Sequence, residues 1–231
     1  MDTPPLQSLA GLAAGIAVVA VVHGLLGRGL DRRGLHGLGP ADRVTLLRAW
    51  LTCGVLALVV GGTGQGRATA PLVVLAGTAL ALDAVDGWVA RRTGTASALG
   101  ARFDMEVDAL LIMVLSVPAA RAAGWWVLTI GLARYAVLAA AVVATWLGAG
   151  VAPRRWRKVV AAVQGVVLTV AVSGLLPAWS ATVALAVAAA LLGVSFLTEV
   201  VELWRRRAAP VGTRVAAGTG VGVGGLTVGH R

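Results

Sequence analysis

The sequence predicts an all-α integral membrane protein. Three observations lead there. Of 231 residues, 58% are hydrophobic and 13% charged, and mean hydropathy is +0.86. Soluble domains carry about 25% charged residues, roughly twice the fraction here. Apolar runs of about the 20 residues that a bilayer requires recur seven times along the chain. The basic residues between those runs fall almost entirely on one side. The net charge of +10 is therefore the surplus of Arg and Lys expected on surfaces facing anionic headgroups, and no nucleic-acid partner is expected. The single cysteine, Cys53, lies in an apolar run and has no internal partner for a disulfide.

The runs extend roughly over 8–27, 44–61, 70–90, 103–120, 124–148, 157–176 and 180–204. The first has no basic segment before it and no convincing cleavage site, so it reads as a retained helix and not a signal peptide. It carries Gly11 and Gly15, a small-xxx-small spacing able to pack against another helix, although in so Ala- and Gly-rich a chain coincidence is the weightier reading. Gly and Pro mark the joints at Gly61-Gly62, Pro118, Gly148 to Pro153 and Pro177. The last residues, from Ala208 to Arg231, are rich in Gly, Val and Thr without helical periodicity and are expected to be disordered.

With the N-terminus outside, 17 of the 20 Lys and Arg fall in inner segments, among them Arg32, Arg33, Arg48, Arg92, Arg102, Arg155, Lys158 and Arg205. Only Arg67 and Arg121 fall outside, and Arg134 lies within a run. Basic loops stay cytoplasmic, so the N-terminus is expected outside and the C-terminus in the cytoplasm.

Half of the ten acidic residues lie between Asp83 and Asp108. The stretch reads Asp83-x-x-Asp86-Gly87-x-x-Ala90-Arg91, then eight residues, then Gly100-x-x-x-Asp104-x-x-x-Asp108. Helical spacing puts Asp83 and Asp86 on one side of the cytoplasmic end of the third run, and Asp104 and Asp108 on one side of the start of the fourth. A connection of about a dozen residues predicts that these two helices are antiparallel neighbours with converging carboxylates. Four carboxylates at close range stay ionised only with positive charge among them. Oxygen donors without His or Cys point to a hard cation, Mg²⁺ or else Mn²⁺ or Ca²⁺. A helix N-terminus favours Asp104 and Asp108 without any ligand, but Asp83 and Asp86 approach a C-terminus, where the macrodipole disfavours them. Gly87 and Gly100 let a ligand come close to the backbone, and Arg91 offers a planar phosphate donor.

This stretch resembles the signature of the CDP-alcohol phosphatidyltransferase family, D-x-x-D-G-x-x-A-R followed by G-x-x-x-D-x-x-x-D, at every fixed position. The likeness extends to Asp42-x-x-Thr45-x-x-Arg48, where Asp42 stands in place of the Asn found in many members. The resemblance implies a six-helix transmembrane core over 44–204, with residues 1–43 as an added N-terminal helix and basic connection, and 205–231 as a basic, Gly-rich tail. It implies transfer of a phosphatidyl group from a CDP-linked lipid such as CDP-diacylglycerol to an alcohol hydroxyl, with release of CMP. By carry-over, Asp83, Asp86, Asp104 and Asp108 hold a pair of Mg²⁺ or Mn²⁺ ions, and Asp108 is the general base. Thr45, Gly87, Ala90, Arg91 and Gly100 contact the nucleotide part. A homodimer in the plasma membrane, with its active site facing the cytoplasm, is implied too.

The signature does not separate the family's acceptors. Arg134 lies inside an apolar run, where a charge is expensive unless it faces a polar cavity, and Arg155 and Lys158 follow at the next cytoplasmic joint. Family members that use phosphorylated acceptors grip the acceptor phosphate with basic residues in the corresponding helices, so the resemblance implies glycerol 3-phosphate or inositol phosphate. Ala161 stands where a Thr is common in glycerophosphate-using members. Glu106 lies two residues from both Asp104 and Asp108, so it points elsewhere on the helix, towards an Arg of its own. A transporter or channel with a carboxylate cation site is the alternative; the helix-end position of the cluster, beside Gly and Arg suited to a nucleotide, argues for the enzyme.

Overall fold

In a membrane every backbone N–H and C=O has to be satisfied within the protein, and uninterrupted Ala, Leu and Val runs do this as helices. The computed structural model of the chain describes residues 5–31, 40–62, 70–93, 98–144 and 155–208. Among these there are seven α-helices and no strand: α1 (Pro5–Asp31), α2 (Pro40–Val60), α3 (Ala70–Thr93), α4 (Ala98–Ala123), α5 (Leu128–Val143), α6 (Arg155–Ser173) and α7 (Ala178–Ala208). A short 3₁₀ turn, Trp125–Val127, precedes α5. Pro40 opens α2 at the position where its missing N–H costs nothing, and Asp42 in the first turn suits the positive helix end. Gly174, with φ +70°, makes the tight turn that folds α7 back along α6.

Stretches within α2, α5 (with its 3₁₀ turn) and α7 are long and apolar enough to cross a bilayer, and α1, α3 and α6 carry shorter apolar stretches, Leu9–Gly24, Ala70–Val85 and Lys158–Ser173. The helices outrun the apolar runs. The third extends to Thr93 and the fourth begins at Ala98, so residues 94–97 alone separate them and Gly100 lies in the first turn of α4. Charged residues such as Arg are good helix formers and carry the helix past its apolar part. For the same reason α7 continues to Ala208. Pro118, expected at a joint, lies inside α4; surrounding helices make such a proline tolerable in a membrane protein.

The core is a cluster drawn from α2 to α7, with Val55, Leu72, Leu111, Leu115, Leu168 and Leu185 at its centre. The expected direct pairing of α3 with α4 is not what forms. Among the described residues these two helices make little contact; α2 packs between them on one side and α6 on the other. The first helix lies against α2 and contributes no residue to the core cluster. Here the glycine spacing is used. Gly11 and Gly15 are buried, and a Cβ on Gly11 would run into the Ala57 carbonyl and the backbone of Gly61. A Cβ on Gly15 would sit 3.1 Å from the Cys53 carbonyl oxygen. That close approach corrects the reading of coincidence.

Candidate active site

Asp83 is carried by α3, and Asp104 and Asp108 by α4, one turn apart. Because α2 and α6 hold α3 and α4 apart, the three side chains meet across the gap and not at a helix–helix contact. One carboxylate oxygen from each of Asp83, Asp104 and Asp108 lies within 4.8 Å of the others. The side chains are partly sheltered, at 33%, 14% and 27% exposure respectively. Asp83 and Asp108 border a small cleft that continues between Leu111 and Ile112 on α4 and Ala161 and Gly165 on α6. Small residues on α6 leave the room beside the carboxylates.

Between the carboxylates lies Arg48 of α2. Its Nη1 is 3.0 Å from Asp83 Oδ1 and also donates to Asp104 Oδ1, while Nη2 donates to Asp108 Oδ1. Its Nε donates to the Ala79 carbonyl of α3 at 3.2 Å. Arg48 is fully buried, so it is not the surface anchor that counting it among the inner basic residues made of it. It is the residue of this cluster that sequence reasoning undervalued. Two signals were there: a charge eight residues inside a helix that turns apolar, which needs a partner, and its position three after Thr45, on the same face. Thr45 is also buried.

Among the described residues, three carboxylates against one buried guanidinium leave an excess of negative charge. Lys158 at the start of α6 offsets it weakly, with Nζ 3.7 Å from Asp104 Oδ2 and a side chain 78% exposed. Oxygen donors alone, converging with surplus negative charge, fit a hard divalent cation. Asp83, Asp104 and Asp108 could therefore bind a metal ion.

Of the other expected site residues, Gly87 follows Asp83 by one turn on α3 and Gly100 precedes Asp104 by one turn on α4, both half-buried. The side chains of Asp86, Ala90, Arg91 and Arg155 lie outside the described residues. Arg134 is placed elsewhere: its Nη2 donates to Glu106 Oε1 at 2.5 Å, and Glu106 projects from the face of α4 turned away from Asp104 and Asp108. The expectation that Glu106 finds an Arg holds, and the structure does not bring Arg134 to the carboxylates.

The model of the CDP-alcohol phosphatidyltransferase family matches residues 40–198, which contain every residue of this site. No curated protein and no solved structure matches the chain.

Proposed function

The chain belongs to the CDP-alcohol phosphatidyltransferase family, and from that premise we propose that it transfers the phosphatidyl group of CDP-diacylglycerol to the hydroxyl of a small phosphorylated alcohol, releasing CMP. The observation that carries this reading is the convergence of Asp83, Asp104 and Asp108 within 4.8 Å inside the matched region. The acceptor class rests on Lys158, whose ammonium stands 3.7 Å from Asp104, and on Arg155 one turn earlier. Lys158 suits a phosphate carried in beside the carboxylates, and Arg155 is a second cation of the same helix that a phosphate would attract. Glycerol 3-phosphate and inositol phosphate are the candidates.

Asp108 acts as general base. The Oδ1 side of Asp108 faces Arg48 and the other carboxylates, the side on which a cation would be held, and Oδ2 takes the proton of the acceptor hydroxyl. The freed oxygen forms the new bond to the phosphatidyl phosphorus as the bond to CMP breaks, so CMP leaves with the electron pair. Asp83, Asp86, Asp104 and Asp108 would hold Mg²⁺ or Mn²⁺, as a pair of ions. Cations held there would supply charge neutralisation for the diphosphate and for the departing phosphate. Thr45, Gly87, Ala90, Arg91 and Gly100 would serve the nucleotide part, glycine letting the backbone come close and Arg91 offering a planar donor for phosphate. The seven helices cross the plasma membrane, with the carboxylate end in the cytoplasm and the protein a homodimer.

The test is CMP release by detergent-purified protein given CDP-diacylglycerol, Mg²⁺ and one acceptor at a time. Release that depends on glycerol 3-phosphate or inositol phosphate and stops in EDTA is the expected result. Asp108→Asn should lower turnover by about 100-fold or more while leaving the melting midpoint near wild type. Full activity in that variant would remove Asp108 from the base role. Release with serine or free inositol alone would overturn the phosphorylated-acceptor assignment.

A further inference from the structure

We propose that Arg48 is a positioning residue, an internal counter-cation that holds Asp83, Asp104 and Asp108 assembled until a divalent cation takes over their charge. This rests on the reading that those three carboxylates bind such a cation. Among the described residues, Arg48 is the only charged side chain that is buried. It sits on α2, the helix packed against both α3 and α4 where these two barely touch. Its three nitrogens reach both helices: Nη1 and Nη2 span Asp83, Asp104 and Asp108, and Nε holds the Ala79 carbonyl of α3.

The other described cation at the cluster cannot do this. Lys158 is mostly exposed and approaches Asp104, whereas the planar guanidinium offers donors in several fixed directions at once. Without Arg48, three carboxylates would face one another with the exposed Lys158 as the only described cation close by, an arrangement that repels itself. With Arg48 in place, the net charge of the three carboxylates and their partner falls from −3 to −2. Arg48 also engages the oxygens that a metal ion would use, so it competes with the ion. Its removal therefore has two opposite effects: the metal-free protein becomes less stable, and the metal binds more tightly.

The experiment compares wild type, Arg48→Gln and Arg48→Lys, purified in detergent, by tryptophan-fluorescence melting in EDTA and in saturating Mn²⁺. Binding of Mn²⁺ alone is titrated through the loss of its free-ion EPR signal. In EDTA, Arg48→Gln is expected to melt about 5 °C or more below wild type, and Mn²⁺ should close most of that gap. Its Kd for Mn²⁺ should fall by about tenfold or more, because a unit positive charge a few ångströms from the ion has gone. Arg48→Lys keeps the charge without the fork and should fall between the two; it carries the same comparison if Arg48→Gln is not recovered folded. A deficit of equal size with and without Mn²⁺ would make Arg48 a packing residue and overturn the proposal, as would an unchanged or weaker Mn²⁺ affinity. If wild type itself neither binds Mn²⁺ nor melts differently in its presence, the metal-site reading fails, and this one with it.

Discussion

Lys158 and Arg134 are both basic residues set in or beside apolar runs, yet their surroundings assign them different work. Lys158 keeps its ammonium in the open, with one loose carboxylate partner at 3.7 Å, so it can turn to an incoming phosphate at little cost. Arg134 is bonded to Glu106, and its Nε is buried without a hydrogen-bond partner; it ties α5 to the far side of α4. A charge-assisted hydrogen bond contributes about 1.5–3 kcal/mol, and exposure puts Lys158 at the lower end. Lys158→Gln should therefore raise the KM for a phosphorylated acceptor about tenfold, with the KM for CDP-diacylglycerol unchanged. Arg134→Gln should leave both KM values near wild type and lower the melting midpoint instead. Steady-state kinetics with each substrate varied in turn checks this, and the reverse pattern would return Arg134 to the acceptor. The convergence of Asp83, Asp104 and Asp108 was legible because the i, i+4 spacing of Asp104 and Asp108 survives any arrangement of the helices. The assignments of Arg48 and Arg134 were not, since each depends on which helix faces which, and spacing along one helix carries no such information.

At the level of elements, the bundle is organised by what stands between α3 and α4. The number and order of helices could be read from apolar run length, because a bilayer allows few alternatives. Neighbour relations could not. A short connection between α3 and α4 reads as direct pairing, but α2 and α6 pack against both of them, and small side chains such as Ala76, Ala79 and Gly165 let them approach. The same lesson holds for α1. Its outer face shows Leu9, Leu12 and Ile16 as lipid-facing side chains would be, while Gly11 and Gly15 meet the backbone of α2. Gly11→Leu should force the helices apart and destabilise the protein by about 1–3 kcal/mol, the usual cost of overfilling a packed contact. Leu12→Ala, on the exposed face one residue later, should change stability little. Melting of both variants in detergent checks the pair; equal effects would mean that α1 does not rest on α2 through its glycines.

At the level of the whole molecule, the two ends differ in charge and in aromatic residues. The start of α6 lies at the carboxylate end, since Lys158 approaches Asp104. The starts of α2, α4 and α6 and the ends of α3 and α7 bring Arg43, Arg92, Arg102, Arg155 and Arg205 to this end. Among the described residues the opposite end has Arg121 alone. Exposed Trp125, Trp126 and Trp179 ring that opposite end, and exposed Trp156 and Trp204 lie at the carboxylate end, as side chains at the two bilayer interfaces would. Arg102 and Arg121 are both exposed on α4, and 19 residues at 1.5 Å each span about 28 Å, close to the hydrocarbon thickness of roughly 30 Å. Labelling at these two positions therefore tests whether α4 crosses the membrane and in which direction. With Cys53 replaced by Ala, a thiol from Arg121→Cys should react with a membrane-impermeant maleimide on intact cells. One from Arg102→Cys should react only once the membrane is opened, because positive charge is retained on the cytoplasmic side. The opposite pattern would turn the protein over and put the carboxylates where no cytoplasmic CDP-lipid could reach them, and labelling of both on intact cells would deny that α4 crosses at all.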